Sequence, residues 1–131
     1  MTFFTWTQEL DVHVPAMNAG HVAIIERMNA LHDQIAGGAA APLVTRTLEQ
    51  LYAVTVEHFR AEEAHMTTVA YEELAMHKVL HERLLSKLAG FQAELSRGGG
   101  LGEAFFDFLR FWLLAHIKGV DAKYGALAVA R

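Results

Sequence analysis

Residues 58–66 read HFRAEEAHM, which places two histidines and two glutamates within nine residues of a chain that is 53% hydrophobic. His58 and Glu62 are four residues apart, so on a helix that turns by about 100° per residue they lie nearly above one another. The same face continues towards the N-terminus with the spacing of a buried stripe, through Val44, Leu48, Leu51 and Thr55. The stretch therefore predicts a helix that carries an imidazole and a carboxylate into a hydrophobic core.

Three other segments have apolar residues at helical spacing. With the first, they predict helices at about 18–36, 42–65, 71–96 and 103–119, after an N-terminal arm at 1–16. Asn18 is a predicted N-cap and Pro42 a predicted first-turn residue, and the glycine-rich connections GGAAAP and RGGGLG are short. Short connections favour antiparallel neighbours. We therefore predict an all-α fold, an antiparallel up-down-up-down four-helix bundle with an N-terminal arm, in a single domain over residues 1–131.

The composition excludes several classes of site and partner. The chain has no cysteine, which rules out disulfides, thiolate metal sites and iron–sulfur clusters. Its net charge is −4 and no basic patch is evident, so we expect no nucleic-acid partner. The longest apolar stretch, FFDFLRFWLLAHI, is interrupted by Asp107 and Arg110, which argues against a membrane span. The opening residues MTFFTWTQEL do not resemble a signal peptide. A cytoplasmic monomer is expected, with an unidentified protein partner left open.

Histidine is unusually frequent, with eight residues against eleven lysines and arginines. In an antiparallel bundle, the starts of the first and third helices and the ends of the second and fourth lie at one level. Seven metal-binding side chains are predicted to converge there: His21, His58, Glu62, His77, His81, His116 and Asp121. Buried charge without a partner is very costly, and seven nitrogen and oxygen ligands exceed what one small metal takes. The cluster therefore predicts two metals bridged by the carboxylates.

Asp121 is the least regular member of this cluster. It follows His116 by five residues, which is about 140° out of phase on a regular helix. Either the helix widens locally or Asp121 reaches in from beyond the helix end.

Two residues near Glu62, Glu63 and His65, are of types that bind metals but are not predicted to be ligands. Glu63 lies about 140° around the helix from His58 and is expected to face solvent. Glu62 and His65 form Glu-x-x-His, the motif of ferritin-like carboxylate sites, but that fold needs the motif twice and no second copy occurs. We therefore reject the ferritin-like interpretation and expect His65 to lie at the helix end or to support a ligand.

Three further polar residues, His32, Glu73 and His13, are not predicted to be metal ligands. His32 is eleven residues beyond His21, about 16 Å along the helix axis, so we expect a capping or surface histidine. Glu73, four residues before His77, is a candidate for orienting that ligand. His13 lies in the arm, and we assign it no role.

Assembled, these residues resemble the hemerythrin family, specifically single-domain bacteriohemerythrins. The matching segments are NAGHVAIIERMNALHD, HFRAEE, HKVLH and HIKGVD, which together follow the pattern H…HxxxE…HxxxH…HxxxxD over nearly the whole chain. The chain departs from the family around His21. Related sequences often have Asp three residues before this histidine and Gln just before it, where this chain has Asn18 and Gly20.

The resemblance implies a di-iron centre. His77, His81 and His116 would bind one iron, and His21 and His58 the other. Glu62 and Asp121 would bridge the two irons together with an oxo or hydroxo group, and dioxygen would bind at an open position on the two-histidine iron. A family pattern implies an apolar lining of this position by Ile24, Phe59, Leu113 and Ile117.

The function that this implies is reversible binding of dioxygen for transport, storage or delivery. A site with only two carboxylates supports high-valent iron less well than a four-carboxylate site. The alternatives are a di-iron enzyme acting on oxygen, peroxide or nitric oxide, and an oxygen sensor. Sensors of this kind usually carry a fused output domain, for which 131 residues leave no room. We expect an oxygen-binding protein rather than an enzyme, and we assign no catalytic residue.

Overall fold

The computed structural model describes residues 3–123 and 126, and within these residues it contains helices and no strand. The four α-helices are α1 (Pro15–Ala36), α2 (Ala41–Thr68), α3 (Leu74–Ser96) and α4 (Glu103–His116). A 3-10 turn at Gln8–Leu10 lies in the arm, and a π-helical turn at Ile117–Asp121 continues α4. The prediction of an all-α, four-helix bundle is confirmed. None of the helices in the described residues is long and apolar enough to cross a membrane.

Helix α1 begins at Pro15 rather than near residue 18, and the predicted cap at Asn18 is wrong. Val14 is the N-cap and Pro15 occupies the first turn, where its missing N–H costs nothing. The Asn18 side chain instead fastens the arm. Its Oδ1 accepts a hydrogen bond from the Val12 N–H at 3.0 Å, and its Nδ2 donates to Asp11 at 2.7 Å.

The connections between helices use left-handed residues. Gly38 after α1 and Gly98 after α3 have φ of 71° and 88°, a region that glycine enters without steric cost. Helix α2 runs to Thr68, beyond the predicted end near 65, and Ala70 then takes φ of 52°. Tyr71 N–H closes this turn on the Met66 carbonyl at 2.9 Å, which delays the start of α3 from the predicted 71 to Leu74.

The arm packs along the bundle. Phe4, Leu10 and Val12 are buried in the core. The Phe4 N–H donates to Oδ1 of Asn29 in α1, and Nδ2 of Asn29 donates to the Phe4 carbonyl, both at 2.8 Å. This paired hydrogen bond fixes the register of the arm on α1 without any strand partner.

The bundle interior changes character along its axis. The end formed by the late turns of α1 and α3 and the early turns of α2 and α4 is apolar, and its fully buried side chains include Leu31, Leu48, Leu88 and Phe105. The opposite end, where α1 and α3 start and α2 and α4 finish, contains the buried histidines and carboxylates. Up-down-up-down connectivity brings these four helix ends together.

Candidate metal centre

All seven residues of the predicted cluster meet at the polar end of the bundle. None is more than 6% exposed, and both carboxylates are fully buried. The members come from all four helices and the π turn, in the order His21, His58, Glu62, His77, His81, His116 and Asp121.

The Glu62 carboxylate divides the cluster into two sides. Its Oε1 lies 2.7 Å from Nε2 of His81 and 2.9 Å from Nε2 of His77. Its Oε2 lies 3.3 Å from Nε2 of His58 and 3.8 Å from Nε2 of His21. Oε1 also lies 3.9 Å from Nε2 of His116, so each oxygen faces a different set of imidazoles.

Asp121 repeats this division. Its Oδ1 lies 2.9 Å from Nε2 of His77 and 3.0 Å from Nε2 of His116, whereas its Oδ2 lies 3.0 Å from Nε2 of His21. Two groups of ligand atoms result, and each group lies within 4.8 Å. One contains Glu62, His77, His81, His116 and Asp121, and the other contains His21, His58, Glu62 and Asp121. Both carboxylates are shared, as bridging ligands must be.

The π turn explains how Asp121 reaches the cluster. A π turn closes its hydrogen bonds over five residues instead of four, so it brings residues five apart towards one face. His116 ends α4 and Asp121 ends the π turn. Of the two alternatives left by the sequence, local widening of the helix is the one observed.

The donor atoms fit metal cations. Nε2 of His58, His81 and His116 and Oδ1 of Asp121 are buried, and despite the short distances none is aligned for a hydrogen bond with a protein group. Native interiors seldom leave buried polar atoms in this condition. Imidazole and carboxylate donors converging on two shared points suit first-row transition metals such as iron.

Without a metal cation, protonated histidines compensate the negative charges of the two carboxylates in the cluster. Burial opposes the charged form of His116, but attraction to the Asp121 and Glu62 carboxylates, whose oxygens lie 3.0 Å and 3.9 Å from its Nε2, prevails and raises its pKa to about 9. The pKa values of His21 and His77 are raised for the same reasons. Burial also opposes ionisation of Glu62 and Asp121, yet the histidines close to their oxygens lower both carboxyl pKa values. The metal-free site is thus held by imidazolium–carboxylate pairs, and metal ions must displace those protons.

Glu63 does not face solvent as predicted. Its Oε2 lies 2.8 Å from Nδ1 of His81 on α3, and its side chain is only 27% exposed. The phase of 140° from His58 is correct, but α2 packs against both α1 and α3, so that direction points to a neighbouring helix. Sequence reasoning missed this contact because helical phase alone does not say which faces the other helices cover.

The other polar residues lie outside the cluster. His32 is neither a cap nor a fully exposed residue, since it is half-buried between Phe3 and Phe106, with ring centroids 4.8 Å and 4.9 Å away. Glu73 accepts a hydrogen bond from the Tyr71 hydroxyl at 3.0 Å and pairs with Lys123 at 3.4 Å.

His13 and His65 also lie outside the cluster. His13 is exposed in the arm, has φ of 61° and pairs with Asp11 at 3.4 Å. His65 is partly buried in the last turn of α2, consistent with its expected place at the helix end.

The residues expected to line the oxygen position are all buried: Ile24, Phe59, Leu113 and Ile117. The Phe59 ring stacks on His81 with centroids 3.7 Å apart and an interplanar angle of 4°. Trp112, which the sequence did not single out, lies with its ring 5.8 Å from His116 and 6.1 Å from Phe59. Aromatic rings therefore cover the cluster on the side of α4.

Comparison with known proteins agrees with this geometry. The hemerythrin HHE cation binding domain family matches residues 12–128. The chain belongs to the hemerythrin family. Bacteriohemerythrin of Methylococcus capsulatus is 32% identical to this hemerythrin over 127 residues, which cover 95% of this chain and 96% of that protein. Myohemerythrin-1 of Phascolopsis gouldii is 31% identical over 122 residues, with 92% and 91% of the two chains covered. A crystal structure of wild-type hemerythrin superposes with a TM-score of 0.87 at 32% identity, covering 94% of this chain and 95% of that one.

Hemerythrins bind dioxygen at a di-iron centre, so this chain is a di-iron, oxygen-binding protein. The predictions of the family, the bundle fold and the iron cofactor are confirmed.

Proposed function

We propose that this hemerythrin binds dioxygen reversibly, as a carrier, store or delivery protein, rather than consuming it as an enzyme. The observation that carries the proposal is the shortage of proton donors around the cluster. Among the described residues, the only buried polar side chains besides the seven are Thr47 and Thr55. Their hydroxyls donate to the carbonyls of Leu43 and Leu51 at 3.1 Å and 2.7 Å, so both protons are engaged. Dioxygen held at this site would therefore meet few buried side chains able to donate a proton to it and drive it off irreversibly.

The proposed ligand assignment follows the two sides of the carboxylates. His77, His81 and His116 would hold one iron, and His21 and His58 would hold the other, with Glu62 and Asp121 shared. Two irons held there would supply the electrons for reversible binding of dioxygen. The chain's own contribution is to fix five imidazoles and two carboxylates in a site that is at most 6% exposed.

Four apolar side chains are proposed to keep water away from the bound gas: Ile24, Phe59, Leu113 and Ile117. Their relative exposures range from 0% to 3%. One ligand group has three histidines and the other has only His21 and His58. An iron in the two-histidine group would have the more open coordination, so dioxygen is expected to bind there. Shielding this position from water slows proton delivery and hence oxidation to the ferric state.

A di-iron enzyme is the second candidate, and one feature favours it. A groove of about 230 Å³ between α3 and α4, lined mainly by apolar residues such as Leu80, Leu84, Phe108 and Trp112, reaches His116. A small substrate seated there would contact a ligand of the three-histidine group. The group that contains His116 has three histidines, so its metal has less room for a substrate than the metal of the two-histidine group. The groove therefore supports an enzyme less strongly than the shortage of proton donors supports a carrier.

Stopped-flow spectroscopy distinguishes the two functions. The diferrous protein is mixed with dioxygen, then flushed with argon, and separately mixed with peroxide. The proposal predicts an adduct that forms once and is lost on deoxygenation with recovery of the diferrous protein. Multiple turnover of oxygen or peroxide would establish the enzyme instead.

A further inference from the structure

Gly20, in the second turn of α1, occupies a position where a side chain has no room. An ideal Cβ at residue 20 would lie 2.0 Å from Nδ1 and 2.8 Å from Cε1 of His58 on α2. Ordinary van der Waals contact begins near 3.4 Å, so at the spacing that α1 and α2 have in this chain any other residue requires the His58 ring or a helix to move by more than 1 Å. Related sequences often have Gln at this position, so the requirement applies to the helix spacing of this chain and not to the family as a whole. Glycine inside a helix is less favourable than alanine, and the close approach of His58 supplies a reason for its presence.

Displacement of His58 would affect one ligand group only. His58 belongs to the four-residue group and not to the five-residue group. Its Nε2 lies 3.3 Å from Oε2 of Glu62, and its ring lies edge-on to that of His21 with centroids 4.5 Å apart. Imidazole binds a metal such as zinc at about 2.0–2.1 Å, within a tolerance of about 0.2 Å. A ring displaced by more than 1 Å therefore leaves its metal under-coordinated.

A movement of α1 away from α2 would not relieve the problem. His21 follows Gly20 on α1, and its Nε2 lies 3.0 Å from Oδ2 of Asp121. Separating the helices would withdraw His21 while His58 stayed in place. Either response to a side chain at residue 20 removes one of the two histidines of the same group.

We propose that Gly20 is a positioning residue for the four-residue metal group. Its missing side chain seats the His58 ring against α1, at the depth where one metal ion is held by His21 and His58 together. The inference rests on the proposed two-metal site. It makes residue 20 a determinant of whether the second metal binds, although residue 20 supplies no ligand atom.

The test is the stoichiometry of Co²⁺ binding by the full chain after metal removal. Wild-type protein should bind two ions, and Gly20→Ala should bind one ion normally and the second at least about tenfold more weakly. The visible d–d bands of Co²⁺ should lose the component that appears with the second equivalent. Gly90→Ala is the matched control, because Gly90 lies inside α3 and a Cβ there meets nothing within 4 Å. It should bind two ions like the wild type.

A double-mutant comparison keeps the test informative if Gly20→Ala folds poorly. Thermal unfolding of the metal-free protein should show a lower midpoint for Gly20→Ala when His58 is present. In the His58→Ala background the same substitution should leave the midpoint unchanged or raise it. A lower midpoint in both backgrounds would mean that Gly20 acts through another contact, and would overturn the inference.

The remaining outcomes separate this inference from the function on which it rests. If Gly20→Ala and the wild type both bind two ions with the same affinities, the role of Gly20 is overturned but the two-metal site is not. Fewer than two ions in the wild type would overturn the two-metal site itself.

Discussion

Glu63 and His81 form a 2.8 Å contact between α2 and α3, from the glutamate Oε2 to the imidazole Nδ1. The opposite nitrogen of the same ring, Nε2, lies 2.7 Å from Glu62 Oε1 inside the cluster. If Nδ1 donates its proton to Glu63, Nε2 presents a lone pair to a metal. Two adjacent glutamates therefore hold both sides of one imidazole, one as a ligand and the other as the group that fixes the tautomer.

The first prediction concerns this outer contact. Glu63→Ala should weaken metal binding by roughly 10–100-fold, because His81 loses the carboxylate that orients its ring. Glu63→Gln, which retains an acceptor oxygen, should fall between the alanine variant and the wild type. Competition with a chelator measures the affinity. Unchanged affinity in Glu63→Ala would show that His81 is oriented without help from Glu63.

The second prediction distinguishes Glu62 from its neighbours on α2. Because one Glu62 oxygen faces each ligand group, Glu62→Ala should lose both metals rather than one. Glu57→Ala is the control, since Glu57 is exposed on the same helix. Its metal content should equal that of the wild type. Retention of one full equivalent by Glu62→Ala would contradict the bridging role.

The third prediction is a pH dependence of the metal-free protein. The folded-state pKa of His116 is about 9, above its ordinary 6.5, so its pairing with the carboxylates stabilises the fold fully below pH 6.5. That stabilisation is lost as the pH rises through 9. The lowered pKa values of Glu62 and Asp121 act in the opposite sense, because their stabilisation is present above the ordinary carboxyl range and is lost on acidification.

The temperature of the unfolding midpoint of the metal-free protein should therefore decrease as the pH rises from about 6.5 through 9. The metal-loaded protein should not show this fall, because bound metal has already replaced the imidazolium protons. Parallel melts of the two forms measure the difference. A flat profile for the metal-free protein would mean that the histidines are neutral in the folded cluster.

The convergence of the seven side chains was predictable from sequence because it depends on few quantities. Spacings of four residues align His58 with Glu62 and His77 with His81, and antiparallel connectivity alone sets which helix ends meet. The sequence predicts that Asp121 joins the cluster but not how it gets there, because a spacing of five residues does not distinguish a π turn from a side chain that reaches in from beyond the helix end.

The wrong prediction for Glu63 would have required the distance between two helices. Helical phase placed Glu63 correctly around its own axis but could not show that α3 covers that direction. The contact between Gly20 and His58 likewise depends on how closely α1 approaches α2. Asn18 was misjudged for a local reason: Pro15 begins the helix one turn earlier, and the rule that proline favours the first turn would have predicted it.

The last prediction concerns the apolar cover of the oxygen position. Leu113 precedes His116 by about one helical turn and is 1% exposed. If it shields bound dioxygen from water, Leu113→Ser should admit a proton donor and speed decay of the oxygenated form to the ferric state, with iron still bound. The decay of the absorbance of the oxygenated protein measures this rate. A change in packing alone could also raise it, because truncating a buried leucine destabilises a protein by roughly 2–5 kcal/mol.

Leu109→Ser separates shielding from loosening. Leu109 is also 1% exposed on α4 but lies one turn further from the metals, so its truncation should cost a similar amount of stability. Shielding requires faster autoxidation for Leu113→Ser than for Leu109→Ser at a comparable loss of the thermal midpoint. If autoxidation follows the midpoint alone at both positions, Leu113 contributes packing and no specific protection of the bound gas.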